Sequence, residues 1–470
     1  MKPDMNQEMI DAIMGHPRKF ARDEEGTITI FAMFMVLMMV MIGGIGADMM
    51  RHEMERTRIQ AVSDRAVLAA ADLDQTLDPE AVVRDYFDKS GMAGYVSNVD
   101  VDEGLNYRTV TVDASMTMNT QFMDTMGVEE LSVPARSRAQ EKVNKVEISL
   151  VLDISGSMRH NSKMDNLHDA AGTFLDAVLK PANQDLISVN VIPYTAQVNA
   201  GPDIFDELNV TSRHPYSRCV DFESSDFNQT AISLTESYAH MQHFEAGWSW
   251  NGSHAENSIS NPGCPKRTFE YITAFSQDKN ALKAQINQFR PRANTAIHLG
   301  MKWGVAMLDP AFRPVTQNIG TVDGVFTNRP ANYGDPDTLK TIILMTDGEN
   351  VSTVRIKNSR YNSSSERYHW SRYPLYYWLN RSVKSSKHYK WRYTKYSPSQ
   401  ADTMLSNICD AAKDKHIVIW SIGFEVGNHG ASVMEDCASS PSHFFRVEGV
   451  EISEAFSAIA RQINQLRLTQ

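Results

Sequence analysis

A chain of 470 residues with 42% apolar residues is long enough for about three domains and rich enough in core formers to exclude disorder as its general state. Its net charge of -11 argues against a general nucleic-acid binder. Its four cysteines, Cys219, Cys264, Cys409 and Cys437, include no Cys-x-x-Cys pair of the zinc or redox type, so two disulfides are the expectation, Cys219 with Cys264 and Cys409 with Cys437, each pair being closest in sequence.

Met1 to Glu25 is polar and mixed in charge and lacks the pattern of a cleavable signal peptide. Thr27 to Ala47 then runs for 21 residues without a charge, rich in Met, Val, Ile and Leu, and as a helix it would cover about 30 Å, the thickness of a bilayer's hydrocarbon core. This predicts a transmembrane anchor, because buried soluble helices rarely stay uncharged for so long. Lys2, Arg18, Lys19 and Arg22 precede the span and Arg51, Arg56, Arg58 and Arg65 follow it, so the positive-inside count is tied at four each. All four cysteines lie after the span and would pair only in an oxidising compartment, which puts the N-terminus in the cytoplasm.

Asp48 to Asp74 continues as a helix in which Met50, Met54, Ile59, Val62, Ala66 and Ala69 to Ala71 form a small-residue stripe suited to close packing by another helix. From Asp78 to Ala139 a small separate unit is expected, with a short helix around Glu80 to Phe87, an alternating strand Tyr107 to Met118 and a second strand-like piece Glu130 to Ala135. Nothing in it carries chemistry, and a structural role is the expectation.

Val146 to Met158, VEISLVLDISGSM, reads as a buried strand that ends in oxygen ligands: Ile148, Leu150, Val151 and Leu152 give the apolar run, and Asp153, Ser155 and Ser157 follow at alternate positions. A carboxylate and two hydroxyls are hard donors of the kind Mg²⁺ requires, although the same triplet also marks a capped helix start. Met164, Leu167, Ala171, Phe174, Leu175 and Val178 describe an amphipathic helix, and Leu186 to Tyr194 the next strand. Ala293, Asn294 and Thr295 precede a segment in which Ile297, Met301, Val305 and Leu308 recur at helical intervals. Leu339 to Asn350, LKTIILMTDGEN, repeats the strand-then-oxygen design with Thr346, Asp347 and Gly348. Ile417 to Phe424 is another buried strand, and Glu451 to Leu468 a last helix with Phe456, Ile459, Ile463 and Leu466 on one face. Strands alternating with helices predict an α/β fold with a doubly wound, mostly parallel sheet, and loops at the carboxyl ends of such strands meet at the topological switch point. Asp153, Ser155, Ser157, Thr295 and Asp347 would converge there.

In these five positions the chain resembles a von Willebrand factor A domain, a Rossmann-like fold whose metal-ion-dependent adhesion site uses Asp-x-Ser-x-Ser, a Thr and a distant Asp. The resemblance implies that Ser155, Ser157 and Thr295 coordinate Mg²⁺, with Mn²⁺ or Ca²⁺ as substitutes, while Asp153 and Asp347 balance its charge and a partner's carboxylate takes the open position. The segment from Gly26 through Gly46, Ala47 and Asp48 to the run Arg58 to Ala71 resembles the N-terminal segment of Tad/Flp pilus-assembly proteins of the TadE and TadG kind, a family that pairs this anchor with a von Willebrand A domain. Pilin-type precursors carry Glu five residues after the cleaved Gly, whereas here Phe31 follows Gly26 at that distance. The pairing implies a single-pass protein of a bacterial inner membrane, with a cytoplasmic tail (1–25), a membrane and juxtamembrane helix (26–75), a small α+β spacer (76–142) and a periplasmic or surface-facing A domain (143–470). Other pilus-assembly proteins are its expected partners, and no nucleic acid is.

Two insertions, at about 200–277 and 351–400, exceed a minimal A domain. The first holds Cys219 and Cys264 and reads as a disulfide-closed excursion. In the second, Arg355 to Tyr396 carries eleven Lys or Arg against the single acid Glu366, a charge of +10 that leaves -21 for the rest, together with eight Tyr and three Trp. Cations interleaved with aromatics suit anionic or glycan surfaces, so Arg367, Trp370, Tyr376, Trp378, Trp391 and Arg392 are candidate partner contacts, against the plainer reading of a loop whose rings pack back on the domain. His240 and His243 read as a surface pair without a third ligand. Ser155 and Ser157 lack a Gly-x-Ser-x-Gly setting and an assigned base, and no Walker loop or dinucleotide fingerprint occurs, so an enzyme, a hydrolase included, is not expected. Metal-dependent binding of a protein partner is the leading expectation, and a surface adhesin gripping glycan or envelope polymer through the aromatic insertion is its rival.

Overall fold

A computed structural model describes residues 25–72, 75, 77–104, 107–142, 144–250 and 253–469, so nearly all of the expected cytoplasmic tail lies outside the described residues. The chain divides into two compact units, residues 1–142 and 143–470.

In the first unit, α1 (Glu25–Ala71) is a single helix of 47 residues. From Ile28 to Val40 its apolar side chains stand exposed, Ile28 and Met33 at 71%, as they would to lipid, and among the described residues this is the one helix long and apolar enough to cross a membrane. Further along, the expected packing stripe forms only in its second half: Met50 and Met54 are 73% and 71% exposed, whereas Ile59, Ala66, Ala70 and Ala71 are buried, with Val67 beside them, and Val62 and Ala69 are partly so. They are covered by α2 (Pro79–Lys89) and by an antiparallel sheet of β1 (Val96–Gly104), β2 (Tyr107–Asn119) and β3 (Glu130–Lys142), in the order β1-β2-β3. Helix and sheet share this core, so no boundary falls near residue 75, where the sequence reading divides them.

The second unit is built in chain order from β4 (Lys145–Asp153), α3 (Lys163–Val178), β5 (Ile187–Tyr194), β6 (Thr273–Ser276), α4 (Ile297–Ala306), β7 (Thr338–Thr346), β8 (Thr353–Ile356), α5 (Ser364–Trp370), α6 (Leu375–Ser382), β9 (Arg392–Tyr396), α7 (Pro398–Lys413), β10 (Val418–Phe424), α8 (Asn428–Cys437), β11 (Phe444–Val447) and α9 (Glu451–Thr469). Six strands form one sheet in the order β11-β10-β7-β4-β5-β6, parallel throughout except that β6 runs against β5. The alternation of β4 assigns its residues to two faces. Ser149 donates to the carbonyl of Gly304 (2.8 Å), and a Cβ at Gly304 would stand 2.5 Å from Val151, so only glycine lets α4 sit this close to the sheet. Away from α4, α3 and α9 pack together with Phe174 and Phe456 edge to face at 5.9 Å. Helices thus cover both faces, as a doubly wound sheet requires.

The two insertions do not stand apart from each other. Cys219, Cys264, Met241 and Phe244 from the first share a core with Ile356, Tyr361, Trp370, Leu375 and Leu379 from the second. The Gln242 amide pairs with both backbone groups of Ile356 at 2.8 Å, and the Leu375 N–H donates to the carbonyl of Glu245 at 2.7 Å. The plainer reading of the basic segment therefore holds for most of its rings. Its cations are largely spent internally, with the Arg360 guanidinium 4.3 Å from the Trp391 ring, Arg372 4.1 Å from Tyr368 and Arg381 4.1 Å from Tyr377.

Cys219 is bonded to Cys264 and Cys409 to Cys437. Non-reducing peptide mapping of the native protein is expected to recover these two pairs, each stabilising by about 3–4 kcal/mol on the chain-entropy estimate. Four free thiols would remove the ground for placing this unit in an oxidising compartment.

Candidate metal centre

The register of the central strands sets up the site. Met345 lies opposite Leu152, so β4 and β7 end level, and the Thr346 hydroxyl donates to Asp153 Oδ2 at 2.7 Å. The other oxygen, Oδ1, accepts from the Ser155 N–H at 2.7 Å, which bends the chain directly after the strand. Ser155 Oγ and Ser157 Oγ are 3.0 Å apart, and Ser157 donates to Asp347 Oδ1 at 2.6 Å. Backbone bonds staple the Thr295 loop to its neighbours: Arg292 N–H to the Ile154 carbonyl (3.0 Å), Gly156 N–H to the Ala293 carbonyl (3.2 Å) and Val351 N–H to the Thr295 carbonyl (3.1 Å). A Cβ built on Gly348 would lie 3.7 Å from both Ser157 Oγ and Thr295 Oγ1, so these hydroxyls face one small space. The structure thus brings together all five residues singled out in the sequence.

Electrostatics make the space a natural place for a cation. Asp153 is fully buried, Asp347 nearly so, and burial together with the charge of Asp347 pushes the Asp153 carboxyl up to about 7. Two carboxylates and three hydroxyls form an all-oxygen, hard donor set that fits Mg²⁺ and would relieve this like-charge contact. Among the described residues no group of three or more His, Cys, Asp or Glu offers a metal site of another kind.

Sequence reasoning missed three contributors. The Lys163 ammonium, nearly buried, donates to Asp347 Oδ2 at 3.1 Å and lies 3.6 Å from Glu425, balancing the outer carboxylate oxygen. Asn350 accepts from the Ile297 N–H (2.8 Å) and donates to Asp402 (2.9 Å), fixing the start of α4 behind Thr295. Lys163 opens α3 and Glu425 directly follows β10, and no spacing rule links two positions so far apart in sequence.

Beside Thr295 opens a cleft of about 230 Å³ walled by Met241, Phe244, Val354 and Tyr376, and a second cleft continues past Ala293 and Asn294 to Trp248. Trp248, 68% exposed, stacks on Tyr376 with ring centroids 4.6 Å apart. Glu245 also lines the second cleft, its carboxyl raised by burial. Of the six candidate partner contacts, Tyr376 borders this cleft and Arg392 lies 5.0 Å over its ring. Trp370 does not qualify: it is buried in the core of the insertions and donates its indole N–H to the Arg360 carbonyl at 2.8 Å. Trp378 and Trp391 are half-buried against that core, 4.9 Å from each other, and Arg367 bonds the Asn362 carbonyl. His240 and His243 are not a surface pair either. Both are buried, and with His214 they form a cluster whose closest rings are 3.9 Å apart.

A doubly wound sheet with Asp-x-Ser-x-Ser, Thr and Asp at the carboxyl ends of its strands defines the second unit as a von Willebrand A-type fold. Residues 26–73 match the family model described as "Putative Flp pilus-assembly TadE/G-like". Residues 26–73 are thus similar to a TadE/G-like segment and precede a unit of von Willebrand A-type fold. No curated protein matches it. Among solved structures it is similar to the vWF domain of the type V pili tip protein Mfa5 from Porphyromonas gingivalis, at 14% identity and a TM-score of 0.36, over 70% of this chain and 98% of that one. It is also similar to the pilus adhesin SpaC from Lactobacillus rhamnosus GG, at 14% identity and a TM-score of 0.34, over 79% of this chain and 34% of that one. A third is the von Willebrand factor type A structure from Catenulispora acidiphila, at 10% identity and a TM-score of 0.30, over 79% of this chain and 50% of that one.

Proposed function

We propose that the protein is a membrane-anchored, non-enzymatic component of Tad/Flp pilus assembly that captures an acidic protein partner through a divalent cation, Mg²⁺ in the first instance, held by Ser155, Ser157, Thr295, Asp153 and Asp347. The observation that carries this reading is the convergence of five oxygen donors from three separate loops on one space between two buried carboxylates. When bound there, Mg²⁺ supplies a positive centre with a position open to a partner's carboxylate. The protein's own groups do the rest: Thr346 and the Ser155 N–H orient Asp153, Ser157 and Lys163 each hold one oxygen of Asp347, and Asn350 positions the Thr295 loop. Residues flanking the partner's acid would enter the cleft between Met241, Phe244 and Tyr376. Membrane topology follows the cysteine argument, with the N-terminus cytoplasmic and the second unit outside the inner membrane.

The exposed stack of Trp248 on Tyr376 favours a second reading, in which the same face grips a sugar ring of a glycan or envelope polymer. One experiment separates the two. When full-length protein is immobilised in Mg²⁺ from solubilised envelopes, pilus-assembly proteins are expected to remain bound and to leave on chelation with EDTA. Retention that ignores EDTA but is lost in Trp248→Ala would favour the glycan reading.

A further inference from the structure

We infer that the loop joining β2 to β3, residues 120–129, is a second membrane contact, seated at the headgroup level beside the outer end of the α1 span. The inference rests on the reading of α1 as a transmembrane helix. Three observations, all within the first unit, carry it. Asp48, the first charge after the 21-residue uncharged run, is fully buried, and its carboxylate accepts the N–H groups of Gln121 (3.0 Å), Phe122 (2.7 Å) and Met123 (2.9 Å). These bonds nail the loop to the helix at the point where the apolar run ends.

Next, the loop reaches back along that run. A Cβ on Gly44 would stand 2.5 Å from the Phe122 ring, so Phe122 lies directly on the helix one turn inside Asp48. Met41, Gly44, Ile45 and Asp48, spaced i, i+3, i+4 and i+7, are the shielded positions there, while Ile42, Gly43, Gly46 and Ala47 remain exposed. Gly44 is about 6 Å before Asp48 and about 25 Å after Thr27 at 1.5 Å per residue, which sets the loop at the edge of a hydrocarbon core about 30 Å thick.

Finally, the loop presents apolar side chains outward: Phe122 is 42% exposed, Met126 54% and Val128 37%. In water such a cluster on a short turn has nothing to cover it. At the boundary of a bilayer it continues the exposed apolar surface of Ile28 to Ile42. Asp124, Glu129 and Glu130, also exposed, limit the depth: they stay with the headgroups, so the loop lies in the interface and does not enter the acyl region. Asp48 thereby sets the height of the sheet of the first unit above the membrane surface.

The four native cysteines are consumed in disulfides, so a single introduced cysteine can carry an environment-sensitive fluorophore on the full chain reconstituted in phospholipid vesicles. Met126→Cys and Val128→Cys report on the loop and Met39→Cys on mid-span. Asp100→Cys, paired with Thr111 in the sheet and eight residues up β2 from Asn119, reports on water. Labels at 126 and 128 are expected to be quenched by nitroxides placed near the lipid headgroups and to be at least 3-fold less sensitive to aqueous iodide than the label at 100. Iodide quenching at 126 and 128 equal to that at 100, with 39 protected, would overturn the loop contact and leave the anchor standing. Iodide quenching at 39 would overturn both.

Discussion

Asp153→Ala is expected to leave the second unit folded and to erase its stabilisation by divalent cations. Asp153 closes β4 without contributing apolar area, and the sheet, α4 and the α3–α9 pair keep their contacts when it is removed. The substitution strands the Thr346 hydroxyl and the Ser155 N–H in a buried place, a cost of about 1–3 kcal/mol. It also removes a buried charge that Asp347 opposes, which offsets part of that cost. Against a domain stability of about 5–15 kcal/mol the fold survives. The native protein should gain about 2.7 kcal/mol when cation is present at 100 times its dissociation constant, and the variant nothing. Denaturant unfolding with and without Mg²⁺ reads both numbers. A variant largely unfolded in the presence of Mg²⁺ would make the site a structural one.

Lowering the pH from 6.5 towards 5 is expected to weaken the second unit steeply, through histidines outside the metal site. Burial pushes His214 down to about 2, His240 to about 4 and His243 to about 3, and their mutual proximity and that of Arg213, Arg218 and Lys266 add to it. Fully buried His298 is likewise held down to about 4. Each is neutral in the folded protein, whereas in the unfolded chain it titrates near 6.5. The unfolded state therefore binds more protons below pH 6.5. Stability is intact above that value and falls as pH drops towards the folded values, by up to about 1.4 kcal/mol per pH unit for each group. Asp153, pushed up to about 7, and Glu245 and Glu270, raised by burial, act in the opposite sense but are fewer. Denaturant midpoints at pH 7, 6 and 5 should fall progressively, and a flat series would show that these rings are hydrated in solution.

Why these histidines escaped the sequence is a matter of tertiary context. A spacing of three between His240 and His243 looks like a helix face, but they lie at and just past the short strand Tyr238–His240, and the third ring, His214, comes from 26 residues before His240. The Asp153 and Asp347 loops were legible because each follows an apolar run at once, and a parallel sheet leaves such ends only one place to meet, while Thr295 was legible from the helical segment it precedes. Lys163 and Glu425 were not, because their roles depend on how the start of α3 meets the residue that follows β10. The basic aromatic segment misled for a related reason. A +10 charge with interleaved rings looks like an open binding surface, yet Trp370, Leu375 and Leu379 close a core with the other insertion, and the cations sit on the rings beside them. β1 was passed over because its acids, Asp100, Asp102 and Glu103, hide the alternation of an edge strand.

The most direct measurement of the central claim is an Mn²⁺ titration of the full-length protein, stripped with chelator and followed by electron paramagnetic resonance, with Asp153→Ala and Asp347→Ala alongside. One saturable site per chain, displaced by Mg²⁺ and weakened at least about 100-fold in both variants, is the predicted result. A site of unchanged affinity in the variants, or no saturable site in the native protein, would contradict it.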